Sequence, residues 1–294
     1  MNGDEQPSTT SRIRAAAGRS VTTTVGSIRV VALCDGHVDI DLARFPGVDA
    51  AEAERAARPS DVDPGDLAVS VNAYAIAGPH GLYLVDSGNG TIRGDGLGHL
   101  LPALAAAGFR AEDVDAVLMT HMHGDHAAGL FDAERSVFPR AELIVSEAEH
   151  DFWQAAEALD DLQRGQLEFA RRGFAAHAGR VTLAAPGAEV VPGVTMTALP
   201  GHTPGHVGYL VDGPDPLLIW GDVVHVPALQ VARPDWYFRF DVDPGAAVAT
   251  RRGILDRVAS DGLRVAGAHL PFPGFARIER DGGGFAYRPI DERP

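Results

Sequence analysis

Short apolar runs rich in β-branched residues recur along the chain, many of them bounded by Gly or Asp, and this pattern predicts strands. The runs are SIRVVALCDG, SVNAYAIAG, GLYLVDSG, VDAVLMTH, AELIVS, VTMTAL, HVGYLV, PLLIWGD and LRVAGAH. Helical patterns cover residues 99–109, 147–173 and 244–262. The order of these elements predicts two βαβ-like halves of an α/β protein, with helices to cover both sides of the sheet material.

The chain has no segment that could serve as a long linker, so residues 21–294 are predicted to form a single domain. Residues 39–66, rich in Asp, Ala and Pro, are expected to form a surface excursion near the mouth of any site. The first 20 residues are polar, and we expect them to form a flexible N-terminal tail. This tail lacks the apolar centre of a signal peptide, and no run approaches the roughly 18 apolar residues of a membrane span. Both observations favour a cytoplasmic protein with no membrane partner.

Composition narrows the choice of partners and of ligand chemistry. The formal net charge of −15 repels phosphate backbones, which argues against nucleic-acid partners. The chain has one cysteine, Cys34, so it can form neither an internal disulfide nor a cysteine-based zinc site. Cys34 lies in an apolar run and is predicted to be a buried strand residue. Any metal must therefore be held by nitrogen and oxygen ligands.

The motif THMHGDH places three histidines and an aspartate within six consecutive positions directly after an apolar run. Because alternate side chains of an extended segment share a face, His121 and His123 can point to one centre. Asp125 and His126 follow a turn that Gly124 makes easy, and they would project from the positive end of the next helix. Two neighbouring pairs with different directions fit two metal ions better than one.

Four other segments repeat this arrangement, because each places a candidate ligand just after an apolar strand. YLVDSG contains Asp86, LPGHTPGH contains His202, LIWGDVVH contains Asp222 and VAGAHLPFPG contains His269. Loops at strand ends are where α/β folds collect functional groups. Taken together, these residues predict a metal centre.

These motifs resemble the metallo-β-lactamase superfamily of hydrolases, whose pattern is Asp, then His-x-His-x-Asp-His, then His, Asp and His. The similarity extends from about residue 28 to the end of the chain. Segments such as SVNAYAI, FPRAELIVSEAEHDFW, GDVVHVPALQ and AHLPFPGFARI are similar to the methyl parathion hydrolase-like branch, which is close to the quorum-quenching lactonases. The resemblance implies a four-layered αββα metallo-β-lactamase sandwich with the site at the edge of two facing sheets.

The resemblance also implies a role for each candidate residue. The first metal would be held by His121, His123 and His202, and the second by Asp125, His126 and His269. Asp222 would bridge the two ions together with a hydroxide, and Asp86 would orient ligands from outside the ligand set. Ligands without thiolate favour Zn²⁺, with Mn²⁺, Fe²⁺ or Co²⁺ as alternatives.

Among the remaining histidines, two lie near the predicted centre. His206, four residues after His202, is expected to pack or hydrogen-bond within the fold and not to bind metal. His225 stands three residues after Asp222, where the branch also carries a histidine. Its imidazole could donate to a substrate oxygen or protonate a leaving group. The alternative, a histidine bonded to the neighbouring backbone, stays open at this point.

Aromatic residues near the predicted centre are expected to form an apolar substrate pocket. The predicted wall consists of Trp153, Trp236, Phe238 and Phe272. The segment DWYFRF, residues 235–240, could serve as pocket wall, buried contact or subunit interface, and the last would make the protein a homodimer. An apolar pocket beside two metals favours small, uncharged, hydrophobic esters or lactones.

The leading hypothesis is a dinuclear metallohydrolase that cleaves lactones or aryl and carboxyl esters, with organophosphate triesters as a side reaction. Asp222, Asp125 and His225 are its predicted catalytic residues. One alternative of another class is an iron-dependent oxidoreductase of the same fold, similar to sulfur dioxygenases. A metal-stabilised binding protein without activity is a third hypothesis, which the complete ligand set disfavours.

Overall fold

The computed structural model describes residues 7–91, 96–155 and 161–290. Its helices are α1 (Thr9–Arg14), α2 (Ala50–Ala57), α3 (Leu100–Ala106), α4 (Gly124–Ala127), α5 (Glu147–Gln154), α6 (Asp161–Ala176), α7 (Pro227–Gln230) and α8 (Pro244–Asp261). Its strands are β1 (Ser20–Val25), β2 (Ile28–Ile40), β3 (Leu67–Gly78), β4 (Gly81–Val85), β5 (Ala116–Leu118), β6 (Phe131–Asp132), β7 (Arg135–Ser136), β8 (Glu142–Ser146), β9 (Val181–Ala184), β10 (Glu189–Val191), β11 (Val194–Ala198), β12 (Val207–Val211), β13 (Leu217–Ile219), β14 (Arg264–Ala266), β15 (Phe275–Asp281) and β16 (Gly284–Pro289).

Most of these strands form two mixed sheets of seven strands each. The first sheet has the order β1-β2-β3-β4-β5-β8-β9, antiparallel up to β4 and parallel from β4 onward. The second has the order β10-β11-β12-β13-β14-β15-β16, with one parallel pair, β13 and β14. Each half of the chain therefore forms one sheet, as the two βαβ-like halves predict.

Alternation along the strands explains how the layers stack. In β3, Tyr74 and Ile76 face the apolar cluster between the two sheets, whereas Ala73 and Ala75 face a cluster on the other side. Helices α3, α5 and α6 cover that outer face of the first sheet. Helix α8 covers the outer face of the second sheet through residues such as Leu255. The predicted four-layered αββα sandwich is confirmed.

The candidate ligands emerge where strands in the middle of the two sheets end. The first sheet contributes the loops after β4 and β5, and the second contributes the loops after β11, β13 and β14. Side chains at the carboxyl ends of neighbouring parallel strands meet at one edge of a sheet. Because the sheets face each other, the loops of both halves converge on a single site.

The amino-terminal segment differs from the flexible tail expected over residues 1–20. Ser8 caps α1, and Ile13 is buried against the fold. Thr9 donates from its backbone N–H and its hydroxyl to Asp61, and Arg14 pairs with Asp39 and Asp66. The expectation is therefore corrected for residues 9–20, because the polar side chains of this segment find partners in the acidic excursion.

The predicted helix over 147–173 is also corrected, because it is two helices. Helix α5 ends at Gln154, and Ala155 leaves the helical conformation with ψ 51°. Residues 156–160 of the predicted range lie outside the described residues. Among the helices in the described ranges, none combines the length and hydrophobicity needed to cross a bilayer.

Candidate metal centre

The loop after β5 is held in place by the carboxylate of Asp86. Asp86 has a left-handed backbone, φ 59°, and accepts hydrogen bonds from the backbone N–H and the hydroxyl of Thr120, both at 2.8 Å. It also accepts from Nδ1 of His126 at 2.8 Å. These three hydrogen bonds offset the free-energy cost of the left-handed backbone at Asp86, which is not a glycine. The structure thus places Asp86 outside the ligand set but in contact with it.

Gly124 allows the chain to turn into α4 because it has no side chain, and its φ is not in the left-handed region. A Cβ atom at this position would lie 2.7 Å from the ring of Phe169 and 3.2 Å from Oε1 of Gln166. The backbone N–H of Gly124 donates to that same Oε1 at 2.9 Å. Close approach of α6 to the loop therefore requires glycine here.

The predicted ligand atoms converge from both halves of the chain. Nδ1 of His123 lies 3.0 Å from Nε2 of His121 and 3.0 Å from Nε2 of His202. Nε2 of His269 lies 3.4 Å from Oδ2 of Asp125. Four groups of three residues have ligand atoms within 4.8 Å of one another, and two of them have the composition of the predicted triads: His121, His123 and His202, and Asp125, His126 and His269. The other two groups contain Asp222, one with His121 and His126 and one with His202 and His225.

Asp222 lies between these two triads. Its Oδ1 is 3.3 Å from Nε2 of His126, and its Oδ2 is 3.2 Å from Nε2 of His202 and 3.0 Å from Nε2 of His269. Burial alone would raise the pKa of Asp222, but the surrounding imidazoles of His126, His269 and His121 outweigh it and hold that pKa well below its usual range. The residue is an ionised, buried carboxylate at the centre of the cluster.

Outer hydrogen bonds fix how the imidazoles are protonated. His126 donates from Nδ1 to Asp86, His202 donates from Nδ1 to Asp241, and His269 donates from Nδ1 to the carbonyl of Ser70, each at 2.8 Å. Burial favours the neutral form of these three imidazoles, but Asp222 outweighs it and raises the pKa of each, so Nε2 carries a second proton unless a metal ion takes its place. With Nε2 deprotonated, its lone pair points into the cluster. This is the tautomer that a metal ligand requires.

The cluster cannot satisfy these lone pairs by itself. Nε2 of His126 and Oδ1 of Asp222 are buried, and within the described ranges neither has a hydrogen bond of acceptable geometry. Burial lowers the pKa of His121 and of His123, which keeps both imidazoles neutral. Several imidazole nitrogens thus face one another and a carboxylate at about 3 Å, and bound cations, either protons or metal ions, are needed to hold such groups this close together. The residues fit a dinuclear divalent metal site.

His206 is not part of this ligand set. Its Nδ1 donates to the carbonyl of Leu199 at 2.8 Å, and its Nε2 accepts from the backbone N–H of Asp222 at 3.0 Å. Burial lowers its pKa to about 3, so it stays neutral. The prediction of a hydrogen-bonded histidine is confirmed.

Glu149 supports the cluster, and the sequence analysis missed it. Its Oε1 accepts from the backbone N–H of Met122 at 2.8 Å and from the indole of Trp153 at 2.7 Å. Its Oε2 accepts from the hydroxyl of Thr203, next to His202. Ser146 and Glu149 have the spacing of a capping box, but this carboxylate faces the metal loop. That spacing is the signal that could have drawn attention to the residue.

Asp241 is the second missed residue, and it joins the cluster to the pocket wall. Its side chain is fully buried, and it accepts from Nδ1 of His202 at 2.8 Å and from the backbone N–H of Phe238 at 2.9 Å. Burial would raise the pKa of Asp241, but His202 and Arg251 outweigh it and lower that pKa to about 2. One carboxylate therefore orients both a candidate ligand and an aromatic ring.

We expect Asp241→Asn to weaken zinc affinity about 10- to 100-fold, because an amide can accept from His202 or from the Phe238 N–H but not from both. Competition with a chromogenic chelator measures this affinity. The matched control is Asp243→Asn, an exposed cap of α8 that accepts from Ala246 N–H. Equal zinc affinity in Asp241→Asn and the unmodified protein would refute the orienting role.

His225 stands beside the cluster with one ring nitrogen free. Its Nε2 is 3.3 Å from Oδ2 of Asp222, and its buried Nδ1 has no hydrogen-bond partner within the described part of the chain. The ring stacks on Phe238 with a centroid distance of 3.9 Å. Burial lowers its pKa to about 4. The side chain is therefore a neutral imidazole that is not bonded to neighbouring backbone.

A cavity of about 130 Å³ opens onto the cluster, and its wall differs from the predicted one. Its apolar lining consists of Val38, Ile40, Val69, Phe238 and Phe240, and its polar lining outside the two triads and Asp222 consists of Arg44, Gln166 and His225. Of the four predicted wall residues, only Phe238 lines this cavity.

The other three predicted wall residues are corrected. Trp153 is 1% exposed and lies behind His123, with ring centroids 5.9 Å apart, because α5 turns it toward the sheet. Trp236 packs in a buried cluster beneath the cavity, and Phe272 packs against the core between the sheets. Phe240 stands two residues after Phe238 and lines the cavity beside it, although it was not among the predicted wall residues.

Comparisons with known proteins identify the family of the chain and solved structures of similar fold. The family model for the metallo-β-lactamase superfamily matches residues 67–269. The solved structure of AidC, a dizinc quorum-quenching lactonase in complex with a product, N-hexanoyl-L-homoserine, has a TM-score of 0.88 at 24% identity, over 94% of this chain and 99% of that one. Hydrolase AbOPH of the β-lactamase superfamily has a TM-score of 0.87 at 29% identity, over 94% and 99%.

An N-acyl homoserine lactonase from Bacillus sp. is 28% identical over 174 residues, which cover 52% of this chain and 63% of that protein. The matched segment thus spans less than two thirds of this curated relative. The family model covers most of the chain and includes every candidate ligand. By its sequence, its αββα fold and its cluster of histidines and aspartates, the chain belongs to the metallo-β-lactamase superfamily.

Proposed function

We propose that the protein is a dinuclear zinc hydrolase that opens lactones, with N-acyl homoserine lactones as the leading substrate class and simple esters as further substrates. The observation that carries this proposal is the pair of ligand triads joined by Asp222 at the floor of an apolar cavity. Lactonases among the similar proteins support the choice of bond, and the dizinc AidC supports the choice of metal.

In this proposal His121, His123 and His202 hold one ion, Asp125, His126 and His269 hold the other, and Asp222 contacts both. Two divalent ions bound there would supply an activated water nucleophile and polarise the carbonyl oxygen of the substrate. The two carboxylates neutralise only half of the charge of two divalent cations. The site therefore keeps a positive charge that attracts an electron-rich carbonyl oxygen.

The chain itself contributes orientation and a proton donor. Phe238 and Phe240 exclude water from one side of the cavity and favour an uncharged, hydrophobic substrate. His225 lines the same cavity, and its imidazole is placed to donate a hydrogen bond to the substrate or to the leaving oxygen. Its stacking between Phe238 and His269 fixes the plane of the ring.

We expect His225→Ala to lower kcat about 100-fold while both metal ions stay bound, because the imidazole acts on the substrate. Steady-state kinetics and metal analysis of the same preparation measure both quantities. His150→Ala, a partly exposed histidine of α5, is the control and should retain activity. Loss of a metal ion from His225→Ala would instead make His225 a ligand.

The proposed function is tested by metal analysis of the purified protein coupled to a hydrolysis panel. The panel contains acyl-homoserine lactones, simple lactones, aryl esters and paraoxon-type triesters. We expect two metal ions per chain and lactone or ester turnover well above triester turnover. Preferred triesters would make the protein an organophosphate hydrolase. One iron per chain, oxygen consumption and no hydrolysis would indicate the oxidoreductase.

A further inference from the structure

Arg44 places a positive charge in the wall of a cavity that is mostly apolar outside the candidate metal cluster. It ends the short 3-10 turn Leu42–Arg44 that follows β2, and it lines the same cavity as Asp222 and His225. Its neighbours in the wall include Val38 and Ile40. No purely apolar substrate requires a guanidinium at this place.

Packing on both sides of Arg44 fixes its position. Its carbonyl accepts from the backbone N–H of Arg239 at 2.8 Å. The next residue, Phe45, is buried and meets the ring of Phe238 edge-on at 5.3 Å. The guanidinium carbon lies 5.3 Å from the ring centroid of Phe240. A cation over an aromatic face is held there without losing its hydrogen-bond donors.

Those donors have no protein acceptor in the described ranges of the chain. The guanidinium makes neither an ion pair nor a hydrogen bond there, although Arg14, in contact with the same excursion, pairs with two aspartates. A chain of net charge −15 offers many carboxylates, so an unpaired arginine beside the cavity is available to the molecule that fills it.

We propose that Arg44 determines specificity by binding a second carbonyl oxygen of the substrate, away from the ester that reacts. This inference rests on the proposed function and narrows its substrate class to lactones that carry an acylamino group. The amide oxygen is a stronger acceptor than an ester oxygen, and it is uncharged, which suits a cavity whose wall is otherwise formed mostly by apolar side chains. Substrate binding would then hold the lactone between the metal ions and Arg44.

The test compares two lactones in the protein and in Arg44→Met, which keeps a flexible unbranched stem but removes the charge and the donors of the guanidinium. One lactone is N-hexanoyl-homoserine lactone, and the other is an α-alkyl-γ-butyrolactone of matched length without the amide. We expect kcat/KM for the first to fall about 10- to 100-fold, mostly through KM, and for the second to change less than about threefold. Arg44→Lys, which keeps the charge but not the planar fork, should retain part of the preference. The control is Arg55→Met, an exposed residue of α2 in the same excursion, which should leave both values unchanged.

The outcomes separate this inference from the proposed function. Equal losses of kcat/KM for both lactones would mean that Arg44 only shapes the cavity wall, and this would overturn the specificity role. No loss of kcat/KM for either lactone would overturn it as well. If the unmodified protein hydrolyses neither lactone, the proposed function fails, and the inference fails with it. A selective loss for the acylamino lactone supports both.

Discussion

Replacing Asp222 by Ala is expected to reduce hydrolysis about 1,000-fold or more and to release at least one metal ion per chain. Oδ1 and Oδ2 of this carboxylate lie between the two triads, within 3.3 Å of Nε2 of His126, His202 and His269. If Asp222 contacts both ions as proposed, its removal would take an anionic ligand from each of them at once. Metal analysis after dialysis and steady-state kinetics with a lactone measure the two effects.

Two further variants separate the loss of charge from the loss of fold. Asp222→Asn keeps the shape of the side chain but not its charge, and we expect it to bind metal more weakly than the unmodified protein. Asp212→Ala removes an exposed carboxylate at the end of β12 and should behave like the unmodified protein. Near-normal turnover of Asp222→Ala with two ions still bound would refute the bridging role.

Removal of the metal ions is expected to lower the melting temperature by roughly 8–16 °C. A ligand present at about 1,000 times its Kd contributes about 4 kcal/mol, and in a chain of this size each kcal/mol corresponds to about 2–4 °C. Without the ions, Nε2 of His126 and Oδ1 of Asp222 stay buried 3.3 Å apart, and neither makes a hydrogen bond of acceptable geometry within the described residues. Calorimetry of the loaded and the chelated protein measures the change, and added zinc should restore the original value.

Asp222→Ala is the matched control for this measurement, because it already lacks the shared ligand. Chelation should lower its melting temperature less than that of the unmodified protein. An unchanged melting temperature in unmodified protein that is verified to be free of metal would contradict a role of the ions in stability. Any loss of activity in the metal-free protein would then reflect the missing chemistry of the ions and not a loss of stability.

The candidate metal ligands could be picked out from the sequence because the segments that carry them follow apolar strands, and strand ends can be recognised from the periodicity of apolar residues. Glu149 and Asp241 could not, because their role depends on contacts with distant residues: Glu149 bonds to Met122, and Asp241 bonds to His202. In the sequence alone, Glu149 fits the capping box of a helix, and Asp241 directly follows an aromatic segment.

The pocket wall was harder to predict because burial does not distinguish a core aromatic from a cavity aromatic. Trp153 and Phe238 are equally apolar, but α5 turns Trp153 into the core, whereas the segment around Asp241 turns Phe238 to the cavity. Arg44 was not foreseen, because nothing in its local sequence places it beside the metal centre. The cytoplasmic location and the homodimer stay predictions.

Each ion would draw ligands from both halves of the chain. In the proposed site, the loop after β5 would supply His121 and His123 to one ion and Asp125 and His126 to the other, and loops of the second sheet would supply the rest. During synthesis on the ribosome, the first four ligands therefore emerge long before His202, Asp222 and His269 exist. A nascent chain would then have only half of each proposed coordination sphere, so we expect it to bind metal ions weakly until its second half has been made and folded against the first.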